Sequence, residues 1–113
     1  MIRILVAASL SPKAIDQLSE IPEFEISERT GLTSEQLRDE IRSADALVIG
    51  GSPGVTAEIL EAGADLKLIV STGPSGRVDE AAARSQRVEV RRIPGGRGAD
   101  AGAISVLKDF FNV

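Results

Sequence analysis

The chain has 113 residues and a formal net charge of −4; 42% of its residues are hydrophobic and 27% are charged. These values fit one globular domain, over residues 1–113, and the acidic balance argues against a nucleic-acid partner. Cysteine and histidine are both absent, which excludes disulfides, thiolate chemistry and the commonest general base and metal ligand.

The first half of the chain alternates predicted strands and helices. Residues 2–7 form an apolar run that predicts a first strand rather than a signal peptide, because the run is too short for one. Ser11 and Pro12 then fit an N-cap and a first helical position. Residues 24–27 alternate apolar and polar, which predicts a half-exposed strand. Thr33 and Gln36 have the spacing of a capping box that opens a second helix.

The centre of the chain holds two short apolar runs, residues 46–49 and 66–70. Each run is followed by a loop rich in Gly, Ser and Pro, first GGSPG and then STGPSG. A helix opened by Thr56 and ended by Gly63 lies between them. This order is that of a strand, loop, helix, strand and loop in a parallel sheet.

The last third predicts a fourth helix opened by residues 78–80, and an edge strand over residues 87–92. A PGGRG loop follows, and Asp100 is placed to cap a final helix. In that helix Ile104, Leu107 and Phe111 form an apolar stripe that is expected to fold back over the sheet. No apolar run reaches the length of a membrane helix.

The fold class that follows is α/β, a flavodoxin-like, three-layer, doubly wound parallel sheet of five strands in the order 2-1-3-4-5. Ligands of such sheets bind outside the carboxyl ends of the strands. Both Gly-rich loops fall at those ends, so a small-molecule site is expected there.

Several segments resemble the N-terminal, substrate-binding domain of the D-isomer-specific 2-hydroxyacid dehydrogenases, nearest to the D-3-phosphoglycerate dehydrogenase branch. They are ILVAASLSPKAIDQL, TGLTSEQL, DALVIGGSPGVTAEILEAGADLKLIVSTG and VDEAAARSQRVEVRRIPGG. The resemblance covers nearly all of the chain up to Gly96. It implies NAD-dependent oxidation or reduction of small 2-hydroxy or 2-keto acids.

The chain departs from that family in the parts that carry out catalysis and hold the substrate. The nucleotide-binding domain and the catalytic Arg, Glu and His of the family are not found in it. Gly50 and Gly51 stand where the family places an Arg–Ser pair that holds the substrate anion. Pro74 removes one N–H donor from the loop that binds the substrate carboxylate. We therefore predict no catalytic residue and no metal in this chain, and NAD only if a nucleotide-binding domain is supplied elsewhere.

The predicted function is that of a substrate domain, not catalytic alone, which binds a small carboxylate or phosphate anion or a protein partner. The alternatives are a piece or subunit of an NAD-dependent oxidoreductase, and an oligomerisation module without a ligand. Main-chain N–H groups and one cation of the two loops would hold the anion, whereas ordinary turns need Gly and Pro whatever their function. The candidate residues are Gly51, Ser52, Thr72, Gly73, Ser75, Gly76 and Arg77.

Other features favour ordinary interpretations. Residues 77–97 carry six arginines against three acids, and an edge strand kept from aggregating by its charges explains them better than an anionic partner does. Asp45 precedes its strand, so it does not fit a phosphoacceptor at a strand's carboxyl end. A homodimer through the C-terminal helix or an edge strand, and a cytoplasmic location, are expected.

Overall fold

Strands and helices alternate along the chain because short apolar runs are separated by capped amphipathic segments. The computed structural model describes residues 1–7, 10–29, 31–50, 54–72, 78–93 and 99–113. The elements are β1 Ile2–Val6, α1 Pro12–Ser19, β2 Phe24–Glu28, α2 Ser34–Ile41, β3 Ala46–Ile49, α3 Ala57–Ala62, β4 Leu68–Thr72, α4 Glu80–Ser85, β5 Glu89–Ile93 and α5 Ala99–Phe111.

The five strands form one parallel sheet in the order β2-β1-β3-β4-β5. The predicted strand order and fold class are therefore confirmed. All four residues of β3 are buried, as expected for a central strand covered on both faces. The two edge strands, β2 and β5, carry most of the exposed strand residues.

Side chains alternate between the two faces of the sheet and form two separate apolar clusters. On one face, here called the α1/α5 face, Val70 packs with Leu18 of α1 and Leu107 of α5. On the other, the α2–α4 face, Ile69 packs with residues of α2, α3 and α4, among them Leu37. Each strand of the centre is thus buried from both sides.

Local caps set the beginnings of the first three helices. The Ser11 hydroxyl accepts the N–H of Ala14 at 3.2 Å, and Pro12 occupies the first turn. Thr33 and Gln36 exchange both bonds of a capping box, at 3.2 and 2.9 Å. Thr56 caps α3 as predicted. These caps were readable from the sequence because each involves residues only three positions apart.

The last two strands, β4 and β5, begin later than predicted. Leu66 is buried, but its N–H donates to Gly63 O at 3.1 Å, so it belongs to the turn after α3 and β4 begins at Leu68. Arg87 has a φ of 61°, in the left-handed region, which excludes it from a strand. β5 accordingly begins at Glu89.

The final helix, α5, folds back on the sheet as expected from its apolar stripe. Ala103 and Leu107 are fully buried against the α1/α5 face, and the Phe111 ring packs edge-on to Phe24 with centroids 5.9 Å apart. Asp100 lies in the first turn of α5 instead of capping it. Its carboxylate accepts the N–H of Ser11 at 3.4 Å, which links α5 to the start of α1.

Candidate functional site

The carboxyl ends of the three central strands meet at one edge of the sheet. β1 ends at Val6, β3 at Ile49 and β4 at Thr72, and the pairing of Val6 with Val48 and of Ile49 with Ser71 brings these ends side by side. This is the position at which open α/β sheets bind ligands. The edge is therefore the place to look for a site.

The described structure contains one of the seven residues predicted to bind an anion, which is Thr72. Gly50, the first of the two glycines after β3, is described and exposed. The other predicted residues lie outside the described residues, so their part in the site stays a prediction; they are Gly51, Ser52, Gly73, Ser75, Gly76 and Arg77.

Thr72 is a strand residue and not a loop residue, which corrects the predicted STGPSG loop. It pairs with Ile93 in register, and its side chain is half-buried. Its hydroxyl donates to the carbonyl oxygen of Ile49 at 3.2 Å. Because the hydroxyl proton is used in this bond, Thr72 fastens the end of β4 to the end of β3 and has no O–H left for an anion.

The backbone is paired again directly after each of the two Gly-rich segments. Val55, which follows the first segment, is buried and forms a parallel bridge with Val78, which follows the second. Asp79 donates its N–H to the carbonyl oxygen of Val55 at 2.9 Å. The described residues on either side of the two segments are therefore paired backbone, at Ile49 and Val55 and at Thr72 and Val78.

Ser71 is the residue that sequence reasoning missed. It is 0% exposed, the one buried polar side chain in the described part of the chain, and its Oγ has no hydrogen-bond partner. Along β4, Ile69 faces the α2–α4 face, so alternation places Ser71 on that face as well. The available signal was a single hydroxyl that ends an otherwise apolar run.

The strand neighbour of Ser71 on the outer side is Arg92 of β5. Arg92 donates to Glu80 Oε2 at 3.2 Å, and the two side chains are 43% and 54% exposed. Arg91, on the opposite face, pairs with Glu89. The interpretation of β5 as a charged edge strand is supported by these ion pairs; Arg84 and Arg87 are exposed, and Arg97 lies outside the described residues.

An open groove lies between the beginnings of α2 and α3, at the same end of the sheet. It has a volume of about 340 Å³ and is lined in part by Glu35, Arg38 and Glu58. Arg38 pairs with Glu58 at 2.9 Å. The remaining carboxylate, Glu35, makes this groove a poor place for an anion.

The described residues do not contain three His, Cys, Asp or Glu side chains grouped to hold a metal ion. Their helices are too short or too polar to span a membrane.

Comparison with known proteins assigns the chain to a family. The sequence model described as "D-isomer specific 2-hydroxyacid dehydrogenase, catalytic domain" matches residues 4–101. The D-3-phosphoglycerate dehydrogenase of Methanocaldococcus jannaschii is 36% identical over 109 residues, which are 96% of this chain and 20% of that protein. The enzyme of the same name from Archaeoglobus fulgidus is 32% identical over 95 residues, 83% of this chain and 18% of that protein.

The fold is shared with solved structures as well. The TT0316 protein of Thermus thermophilus superposes with a TM-score of 0.69 at 28% identity, over 79% of this chain and 29% of that one. The chain spans about a fifth of the length of the curated relatives it matches. The family match begins within β1 and runs into α5, so it spans β2 to β5 in full. The chain therefore belongs to the D-isomer specific 2-hydroxyacid dehydrogenase family and is phosphoglycerate dehydrogenase-like.

Proposed function

We propose that this chain is the substrate-binding part of a phosphoglycerate dehydrogenase-like protein, and that it holds a small carboxylate or phosphate anion at the carboxyl-end edge of its sheet. The observation that carries the proposal is the family match over residues 4–101, which spans β2 to β5 in full and both Gly-rich segments. The pairing of Ile49 with Thr72 and of Val55 with Val78 supports it, because these described residues flank the two segments.

In this proposal the chain binds the anion but does not catalyse hydride transfer by itself. An anion needs N–H donors and positive charge, which Gly-rich segments and arginines supply. Hydride transfer also needs a nicotinamide cofactor and a group that takes the hydroxyl proton, and the chain has no histidine for that task. The proposed activity of this chain by itself is therefore binding, and NAD-dependent turnover requires a nucleotide-binding domain supplied elsewhere.

The experiment is a thermal-shift titration of the purified 113-residue chain with 3-phosphoglycerate, 2-oxoglutarate, phosphate, sulfate, NAD and NADH. A ligand at a hundred times its Kd adds about 2.7 kcal/mol, which is a shift of several degrees for a domain of this size. We expect the small acids or phosphate to raise Tm and the dinucleotides to leave it unchanged.

Two variants make the result specific to the edge. Gly73→Asp places a negative charge in the second Gly-rich segment and is expected to abolish the shift. Ser19→Asp adds the same charge at the exposed end of α1, at the other end of the sheet, and should keep it. A chain that shows no shift with any small acid would contradict the binding proposal. NADH oxidation with a 2-keto acid by the chain alone would contradict the proposal that the chain binds an anion but is not catalytic by itself.

A further inference from the structure

The outer surfaces of α1 and α5 meet along an open seam. Both helices follow strands of one parallel sheet, so both run from its carboxyl end to its amino end. Two open grooves lie along the seam, with volumes of about 230 and 340 Å³, and both are lined by Gln17, Ala101 and Ile104. The grooves therefore form one continuous depression, with the half-buried side chain of Ile104 at its middle.

The charges that α5 presents along the seam change sign at Ile104. Asp100 stands four residues before it and Lys108 four residues after it. This spacing places both side chains on the same helix face as Ile104, about 6 Å to either side along the helix axis. The side of α5 near the carboxyl end of the sheet is thus negative, and the side near the amino end is positive.

α1 presents its charges in the reverse order. Lys13 stands four residues before Gln17 and Glu20 stands three residues after it, again on one helix face, and all three are exposed. Neither Lys13 nor Lys108 pairs with a carboxylate among the described residues. Both ammonium groups are therefore available to a partner.

A two-fold axis is the symmetry that this pattern fits. When two copies of a chain meet about such an axis, one surface contacts itself, and residues before the axis face residues after it. An antiparallel helix whose charge changes sign at the axis then meets opposite charges on both sides of it, which fixes the register of the contact. Both helices of the seam meet this condition about the same middle, and a different protein would require it of neither.

We propose that a second copy of this chain docks on the seam, antiparallel to the first, with the two-fold axis crossing the middle of the seam. Ile104 then packs on its own counterpart. Asp100 faces Lys108 of the partner subunit, and Lys13 faces Glu20 of the partner subunit. The interface goes beyond the proposed function and does not depend on it, because it uses none of the candidate anion-binding residues.

Two other acids on these helices are compatible with this arrangement. Asp16 adjoins the middle of α1 and falls opposite Gln17 of the partner subunit. Asp109 falls opposite the first turn of α5, where the helix dipole favours negative charge. Neither acid lies directly opposite another acid.

The test is sedimentation equilibrium of the purified chain at concentrations up to about 1 mM, well above the micromolar Kd expected for a small interface. We expect a monomer–dimer equilibrium. Lys13→Glu should weaken the dimer about tenfold, and Glu20→Lys about as much, because each change replaces two attractions across the axis with two repulsions. The two changes combined in one chain exchange the charges and should restore the Kd of the unaltered dimer.

Glu61→Lys is the matched control, because this exposed carboxylate lies on α3, on the other face of the sheet. It should leave the Kd unchanged. Ile104→Cys provides a second readout in a chain that has no cysteine of its own. Oxidation should join two copies of this variant by a disulfide, since the axis brings the two side chains together, whereas Glu61→Cys should stay unlinked.

A chain that stays monomeric over the whole concentration range would overturn the proposal. A dimer that Lys13→Glu leaves intact would overturn it as well, and so would failure of the combined variant to restore the dimer, since another surface or another orientation would then form it. None of these outcomes bears on anion binding, which the ligand titration measures separately. The proposed function and this interface can therefore fail independently.

Discussion

Two polar side chains at opposite ends of the parallel sheet, Asp45 and Ser71, differ in their hydrogen bonding. At the amino end, Asp45 accepts the N–H of Arg3 at 2.9 Å and the ammonium of Lys67 at 3.1 Å. The main chain of Asp45 adds bonds to Arg3 O, at 2.7 Å, and from Lys67 N, at 2.8 Å. At the carboxyl end, the Ser71 hydroxyl is buried with no partner.

The contrast separates a polar side chain that stabilises the fold from one that does not. Asp45 joins β1, β3 and β4 at the point where they begin, so its polar atoms stabilise the fold. Ser71 costs the free energy of removing a hydroxyl from water and gains no bond in return. Removing the Asp45 carboxylate should therefore lower the free energy of unfolding, and removing the Ser71 hydroxyl should raise it.

The largest effect is expected for Asp45→Ala. This change leaves the N–H of Arg3 without its carboxylate acceptor and removes the ion pair with Lys67. We expect the free energy of unfolding to fall by about 2 kcal/mol, the usual size for a hydrogen bond to a charged group, measured by urea denaturation. Asp65→Ala is the control, because that exposed carboxylate has no partner among the described residues. Equal losses in the two variants would contradict the role given to Asp45.

Thr72→Val should have the next largest effect. It keeps the shape of the side chain and removes the hydroxyl that donates to Ile49 O at 3.2 Å. The free energy of unfolding is expected to fall by about 1 kcal/mol, again by urea denaturation. Thr72→Ser keeps the hydroxyl and should preserve more of that stability. A valine variant as stable as the parent would show that the bond does not fasten the two strand ends.

Ser71→Ala should act in the opposite direction. Removing the unpaired hydroxyl is expected to raise the free energy of unfolding by roughly 0.5–1 kcal/mol, because a buried group without a partner is no longer taken from water. Ser27→Ala, on the exposed side of β2, provides the comparison with a solvated hydroxyl in a strand and should change little. Thermal and urea unfolding of both variants test the sign, and a loss of stability in Ser71→Ala would refute it.

The smallest effect is expected for Lys67→Gln. The Lys67 side chain is 58% exposed, so its bond to Asp45 is screened and worth only about 0.5 kcal/mol. The bond from Arg3 N to Asp45 remains in this variant. The difference from the parent should shrink further in about 1 M NaCl, where exposed charges are screened within about 3 Å. A loss of unfolding free energy as large as that of Asp45→Ala would mean that the ion pair, and not the hydrogen bond from Arg3 N, stabilises the amino end of the sheet.

The features that the sequence allowed us to predict are those that depend on near neighbours in the chain. β3 was predicted at its observed bounds because four apolar residues stand between Asp45 and Gly50. The caps of α1 to α3 follow from spacings of three residues. The start of β4 was missed because Leu66 is as apolar and as buried as a strand residue, although its N–H closes a turn.

For the candidate site, the sequence predicted only a position at the carboxyl edge of the sheet. The sheet order puts the carboxyl ends of β3 and β4 side by side, and that order could be inferred from the alternation of elements. The buried, unpaired state of the Ser71 hydroxyl could not be predicted, since its strand neighbours Ile49 and Arg92 are 22 and 21 residues away in the sequence. The hydrogen bond from Thr72 to Ile49 is a contact of the same long-range kind.

The late position of α5 in the chain has a consequence for biosynthesis. Leu68 and Val70 are completed on the α1/α5 face well before Ala103 and Leu107, which cover that face. A nascent chain that has all five strands outside the ribosome therefore still presents an uncovered apolar surface. Such surfaces are what holdase chaperones bind and what leads to aggregation between nascent chains. Release of α5, a helix of 13 residues, is thus the step that covers this face of the sheet during translation.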